Sequence, residues 1–206
     1  MYQRFDDIAA VEGIFKVEII GDAYFGVAGC PKPCQQHAEK CALGALDMID
    51  AVETMKIQTP ALKAANVQIR IGVHSGSVVA GVVGLKDPRY HLFGDTVTYA
   101  NLMESEGVPG KVQCSDQTAH ELQGLGSVTS GYKLTLRGDI NIKGVGIKKT
   151  WFVERDGVRE VNTEVNTEVN TEMTTEVNGV TIQKRNLIQP SDEFLKGSTV
   201  NKTKSL

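Results

Sequence analysis

Phe15-Lys16-Val17-Glu18-Ile19-Ile20-Gly21-Asp22-Ala23-Tyr24 is the stretch on which the fold turns. Phe15, Val17 and Ile19 alternate with polar neighbours, Gly21-Asp22 supplies turn chemistry, and Tyr24 to Gly29 is apolar again. The pattern predicts a β-hairpin with a carboxylate at its tip. Gly-Asp is also a favoured turn pair for purely conformational reasons, so the motif alone leaves Asp22 open between turn former and ligand. A carboxylate held rigidly there suits a hard cation such as Mg²⁺, but two-metal phosphoryl chemistry needs a second carboxylate facing it.

Working outward, Phe5, Ile8 and Ala9 lie on one face of a short helix that Gly13 ends. After Pro31 and Pro33, Ala38, Cys41, Ala42, Ala45, Met48, Ile49 and Val52 recur at helical spacing, predicting a long amphipathic helix from Gln35 to about Met55. Val67, Ile69, Ile71 and Val73 alternate, Ser75-Gly76 offers a turn, and 78–83 is apolar, which predicts a second hairpin. Asp95 or Thr96 caps a helix to about Glu104, and 111–114 reads as a strand. Ser115 caps a helix over 116–122, and strands follow at 132–137 and 149–154. Hairpins interleaved with helices predict an α+β sandwich and not a doubly wound sheet.

With 206 residues, 41% hydrophobic and 23% charged, the chain has the composition of one globular core plus a tail. The net charge of −3, with no basic run longer than Lys148-Lys149, excludes a general nucleic-acid binder. No apolar run reaches membrane-spanning length, and Met1 to Asp7 lacks the apolar centre of a signal peptide, so the expectation is a cytoplasmic chain without an anchor of its own. Cys30, Cys34, Cys41 and Cys114 show neither a CxxC pair nor finger spacing to histidine and read as reduced thiols.

Beyond Gly157 a Val-Asn-Thr-Glu repeat runs from Val161 to Glu172. Glu160, Glu164, Glu168, Glu172 and Glu176 would crowd one helix face, and the valines are too sparse for a core. The expectation is therefore a folded domain over 1–157 and a low-complexity, disordered tail over 158–206. The sequon Asn201-Lys202-Thr203 has no secretory context to act in.

Three separated stretches, Lys16 to Tyr24, Ile69 to Gly84 and Pro88 to Ser105, resemble the catalytic domain of class III nucleotide cyclases, most nearly the guanylate cyclase branch. They occur in the family's order, which is far more specific than a lone glycine pattern. The resemblance covers about residues 1–155. It implies a ferredoxin-like palm, an antiparallel sheet with helices on one face, working as a head-to-tail homodimer or heterodimer with another cyclase domain. The implied reaction converts GTP to 3′,5′-cyclic GMP and pyrophosphate with two Mg²⁺ or Mn²⁺ ions.

By the same resemblance Asp22 matches the second of two metal-binding aspartates. Nothing in the 21 residues before it matches the first, since Asp6 and Asp7 fall in the helix before the hairpin. The chain therefore resembles a cyclase domain without its first strand, first helix and phosphate-facing loop, and a gap in the sheet is expected. Glu18 matches the guanine-reading position, and a carboxylate accepts together from guanine N1–H and N2–H₂. His91 stands at the companion position, where a histidine can donate to guanine O6. Lys143 matches a lysine that contacts the triphosphate as a point charge. An exposed strand glutamate, a structural histidine and a solvated turn lysine are the plain alternatives for these three.

After Phe93-Gly94-Asp95-Thr96-Val97 the family places an asparagine that orients the ribose and, four residues on, an arginine that stabilises the pentavalent phosphorus. This chain has Thr98 and Leu102. Thr98 keeps a hydroxyl, whereas Leu102 cannot stabilise developing charge. These departures leave four readings: a guanylate cyclase domain that needs a complementary partner, a catalytically inactive pseudo-cyclase serving dimerisation or regulation, an adenylate cyclase, and a truncated product with no stable fold.

Overall fold

The opening stretch forms the hairpin its alternation predicts: β1 (Phe15–Ile20) runs antiparallel to β2 (Ala23–Ala28), with Ile20 opposite Ala23 and a bulge between Lys16 and Glu18. Gly21 turns the chain with φ +61°, a left-handed backbone that glycine adopts without strain. The computed structural model describes residues 1–124 and 131–156, and for the backbone 177–187. The helix α1 (Tyr2–Glu12) precedes the hairpin and is closed by left-handed Gly13, whose N–H caps the Ala10 carbonyl.

Next come α2 (His37–Gln58), α3 (Pro60–Ala64), β3 (Gln68–Val83), β4 (Arg89–Phe93), α4 (Asp95–Ser105), β5 (Val112–Ser115) and α5 (Asp116–Gly124). The strands β6 (Tyr132–Ile142), β7 (Gly146–Arg155) and β8 (Val177–Leu187) follow. The sheet order is β1-β2-β8-β3-β5-β7-β6, with β4 paired to the far half of β3. Only β3 and β5 pair in parallel. The α+β class is as expected, in a mixed sheet.

Ile69, Ile71 and Val73 of β3 point into the main core with Phe5, Tyr24, Met48 and Leu122, under α1, α2 and α5. Gly72, between them, faces the other way. A Cβ on Gly72 would stand 2.1 Å from the Glu104 nitrogen and 2.5 Å from the Ala100 carbonyl oxygen, so α4 packs backbone-close on that opposite face. Arg70 ties the two elements by an ion pair to buried Glu104 at 3.0 Å. The expectation of helices on one face is thereby corrected: α4 lies on the reverse side. A second, smaller core of Phe25, Val27, Cys30, Val78 and Leu92 sits at the end where β2, β3 and β4 meet.

Two further expectations are overturned. Ser75-Gly76 makes no turn, because β3 continues through it to Val83 and the second hairpin is instead β3–β4, turned beyond Gly84 at φ +111°. Gly76 serves packing: a Cβ there would come 2.6 Å from Thr96 Oγ1. The sheet also has no gap, since β8 fills the position between β2 and β3. Those eleven residues were expected in a structureless tail, but Val177, Val180, Thr181 and Ile182 are β-branched, and residues 180–184 pair with two strands at once. The Val-Asn-Thr-Glu repeat and the Asn201 sequon lie outside the described residues.

Candidate active site

The edge strand β1 and the arm strand β4 bring Glu18 and His91 together, with Glu18 Oε1 3.2 Å from His91 Nδ1. Both side chains remain partly exposed, at 26% and 31%. The edge-to-face contact of Phe15 with Tyr90, centroids 5.4 Å apart, braces the same junction one residue away on β4. A proton carried on His91 Nδ1 would lie against the Glu18 carboxylate. The pair thus offers a carboxylate acceptor beside an imidazole.

Asp22 stands exposed on the turn, and its carbonyl accepts from Tyr2 Oη at 2.8 Å, which anchors the tip to α1. Its carboxylate has no protein partner among the described residues. The neighbouring acid Asp6 is committed elsewhere: Oδ2 accepts from Lys16 at 2.7 Å and Oδ1 from Tyr24 Oη at 3.1 Å. Burial, then that acid, raise the Tyr24 hydroxyl above the usual phenol range.

On α4, Thr98 is exposed and Leu102 half-buried, one turn apart on the same helix face. Lys143 is exposed in the turn between β6 and β7. Neither Asp22 nor Lys143 touches the Glu18–His91 pair. On the α4 face the sheet opens a cavity of about 620 Å³ that sequence reasoning missed, lined by His74, Thr96, Tyr99, Ser115, Lys148 and Lys149. His74 Nδ1 lies 2.7 Å from Ser115 Oγ, and its ring stacks on Tyr99 at 5.0 Å. Desolvation pushes the His74 pKa down to about 4, so the ring is neutral at pH 7. A structural role for His74 and Ser75 is what their place in β3 suggests, and Ser75 N–H indeed donates to Thr118 Oγ1 at 2.8 Å. None of the six sequence-predicted site residues lines this cavity.

The family model described as the adenylate and guanylate cyclase catalytic domain matches residues 1–155. The chain belongs to that family. Among similar cyclases is the guanylate cyclase soluble subunit beta-2 of Rattus norvegicus, 46% identical over 154 residues, which are 74% of this chain and 21% of the relative. Another is the retinal guanylyl cyclase 2 of Bos taurus, 45% identical over 159 residues, which are 76% of this chain and 14% of the relative. This cyclase domain thus spans about a fifth or less of the length of those relatives. A solved structure of the guanylate cyclase domain of RhGC from Catenaria anguillulae, in complex with GTP, superposes with a TM-score of 0.67 at 36% identity, covering 76% of this chain and 80% of that one. The guanylyl cyclase Cya2, at 23% identity and TM-score 0.65, shares the fold.

A two-metal centre is the family's expectation, and the residues present do not fit one. Asp22 is a single exposed carboxylate, and Asp6 is held by Lys16 and Tyr24. The strand β8, next to β2 in the sheet, reads Val-Asn-Gly-Val-Thr-Ile-Gln-Lys-Arg-Asn-Leu and contains no acid. Among the described residues no group of three His, Cys, Asp or Glu side chains could hold a metal. No helix among the described residues is long and apolar enough to cross a membrane.

Proposed function

We propose that this chain is one half of a guanylate cyclase centre, competent only when a second cyclase domain completes it. The observation that carries the reading is the 3.2 Å contact of Glu18 with His91, two positions that the family motifs assign to base recognition. Glu18 accepts from the N1–H and N2–H₂ of guanine while His91 faces O6. Adenine presents an acceptor at N1 and would meet a carboxylate there, which disfavours the adenylate alternative. Lys143 supplies point charge to the triphosphate and Thr98 a hydroxyl to the ribose.

The reaction forms a bond from the 3′ oxygen of GTP to the α-phosphorus and breaks the bond from that phosphorus to the pyrophosphate oxygen. The 3′-hydroxyl proton is lost to solvent. Charge grows on the transferring phosphoryl group, and this chain meets it with Leu102, an alkyl side chain. Asp22, among the described residues, would ligate a divalent ion carried by the nucleotide. The complementary domain therefore supplies the cationic group. We place the domain in the cytoplasm, in keeping with its four free cysteines.

The partner surface that fits this reading is the β3–β4 arm, where Val79, Val82, Val83, Leu85 and Phe93 are exposed together. A specific observation also favours the pseudo-cyclase reading: Leu102 removes chemistry while leaving the fold and the arm intact. One assay separates the two. Purified protein supplied with GTP or ATP and Mn²⁺ is expected to give negligible cyclic GMP and cyclic AMP alone, and cyclic GMP when mixed with a cyclase domain that carries the missing Asn and Arg. Robust cyclic GMP formation by this chain alone, abolished by Asp22→Ala, would overturn the requirement for a partner. No added activity in any mixture would leave the pseudo-cyclase.

A further inference from the structure

The strand β8 lies at an inner position of the sheet although it follows a long repeat-bearing segment. Every residue of β3 from Gln68 to Val78 has a partner in β8, from Leu187 to Val177, and β2 pairs from Tyr24 opposite Lys184 to Ala28 opposite Val180. Both α2 and α4 contact β8, so it is covered from the two faces of the sheet. All of β2 is buried. With the slot empty, two rows of buried backbone N–H and C=O groups would go unpaired, each at a cost of about 1–3 kcal/mol. The register is also specific: Gly179 stands opposite Gly76, where a Cβ would meet Thr96 Oγ1.

We propose that Val177–Leu187 is a donor strand acting in cis: it completes the cyclase sheet from the C-terminal side and makes this segment an integral part of the domain. Residues 157–176 separate the described parts of β7 and β8 in the chain. At about 3.3 Å per residue they reach on the order of 65 Å when extended. The path from β7 past β5 and β3 crosses three inter-strand spacings of about 4.8 Å, so the repeat has ample length for a return within one chain. Because β8 contains no acid, its insertion adds no second carboxylate beside the Asp22 hairpin. The proposal concerns the sheet and stands whether or not the domain turns over GTP.

Hydrogen exchange on the full-length chain tests it first. Amides of 177–187 are expected to exchange on the order of a hundredfold slower than the intrinsic rate of an unstructured peptide, as in any inner strand. Exchange of 177–187 at the intrinsic unstructured rate, while β2 and β3 stay protected, would overturn the proposal. Two cysteine pairs across the register, Gln68→Cys with Leu187→Cys and Ser77→Cys with Asn178→Cys, are made in a Cys34→Ser background. They are expected to cross-link within one chain on mild oxidation. Cross-links forming only between chains would show that the strand is donated to a second copy and would refute the cis arrangement. In Ile182→Pro, protection is expected to fall across β2 and β3 together, because proline removes a ladder donor from an inner strand. Full protection of both strands in that variant would also refute it.

Discussion

Glu18 Oε1 and His91 Nδ1 lie 3.2 Å apart, joining the edge strand of the sheet to the β3–β4 arm. Neither residue is near the other in sequence, and the bulge before Glu18 accompanies the approach. The pair is half-open to solvent, a state suited to exchanging a protein partner for a ligand edge.

Glu18→Ala removes a carboxylate that accepts two guanine donors. Charge-assisted hydrogen bonds contribute about 1.5–3 kcal/mol, so GTP affinity is expected to fall roughly 10- to 100-fold, with little change for ATP. Displacement of a fluorescent GTP analogue measures this. An equal loss for both nucleotides would assign Glu18 to the fold and not to the base.

Restoring Thr98→Asn and Leu102→Arg together puts an amide and a guanidinium on one face of α4. In a mixture with a cyclase domain that supplies two carboxylates, cyclic GMP formation at sites served by this chain's α4 is expected to rise on the order of a thousandfold. The same double variant alone is expected to stay well below that mixture, since Asp22 is the one hairpin-tip carboxylate among the described residues that each of its sites holds. Initial rates with GTP and Mn²⁺ decide between these outcomes.

Gly72→Ala sets a Cβ against the backbone of α4, 2.1 Å from the Glu104 nitrogen. A helix backbone cannot rotate away as a side chain can. A loss of about 3 kcal/mol or more is expected, read as a fall in the urea midpoint. Arg70→Met removes the 3.0 Å ion pair to Glu104 in the same interface and is expected to lower the urea midpoint as well.

His74 is protonated in the unfolded chain below about pH 6.5 but stays neutral in the folded chain down to about pH 4. Between those values the unfolded state binds the extra proton, so stability falls as pH is lowered through that window and levels off below it. Urea titrations of wild type and His74→Gln should differ in slope between pH 4 and 6.5 and run parallel above it. Parallel curves throughout would mean that the ring is protonated without penalty.

Much of the frame was legible in the residues. The alternation around Gly21-Asp22, the helical spacing of Ala38 to Val52, the Ser115 start of α5 and the family motifs each rest on local chemistry, and each element stands where expected. Ser75-Gly76 misled because a glycine is equally a turn former and a space left for a neighbour, and only Thr96 shows which. The side of the sheet that α4 covers was illegible for the same reason, as Gly72 announces close packing without naming its partner. The cavity beside Tyr99 joins β3, α4, β5, α5 and β7, five elements whose meeting no spacing records.

The local sequence specified the hairpin with Asp22 at its tip, the amphipathic helices and the loss of charge at Leu102, because these depend on side-chain type and on short-range backbone preference. Tertiary structure alone decided that Glu18 meets His91 and that Val177–Leu187 takes the slot between β2 and β3. Both are non-local. A strand gains its place only when two other strands offer unpaired backbone groups in matching register, and no stretch of sequence contains that condition by itself.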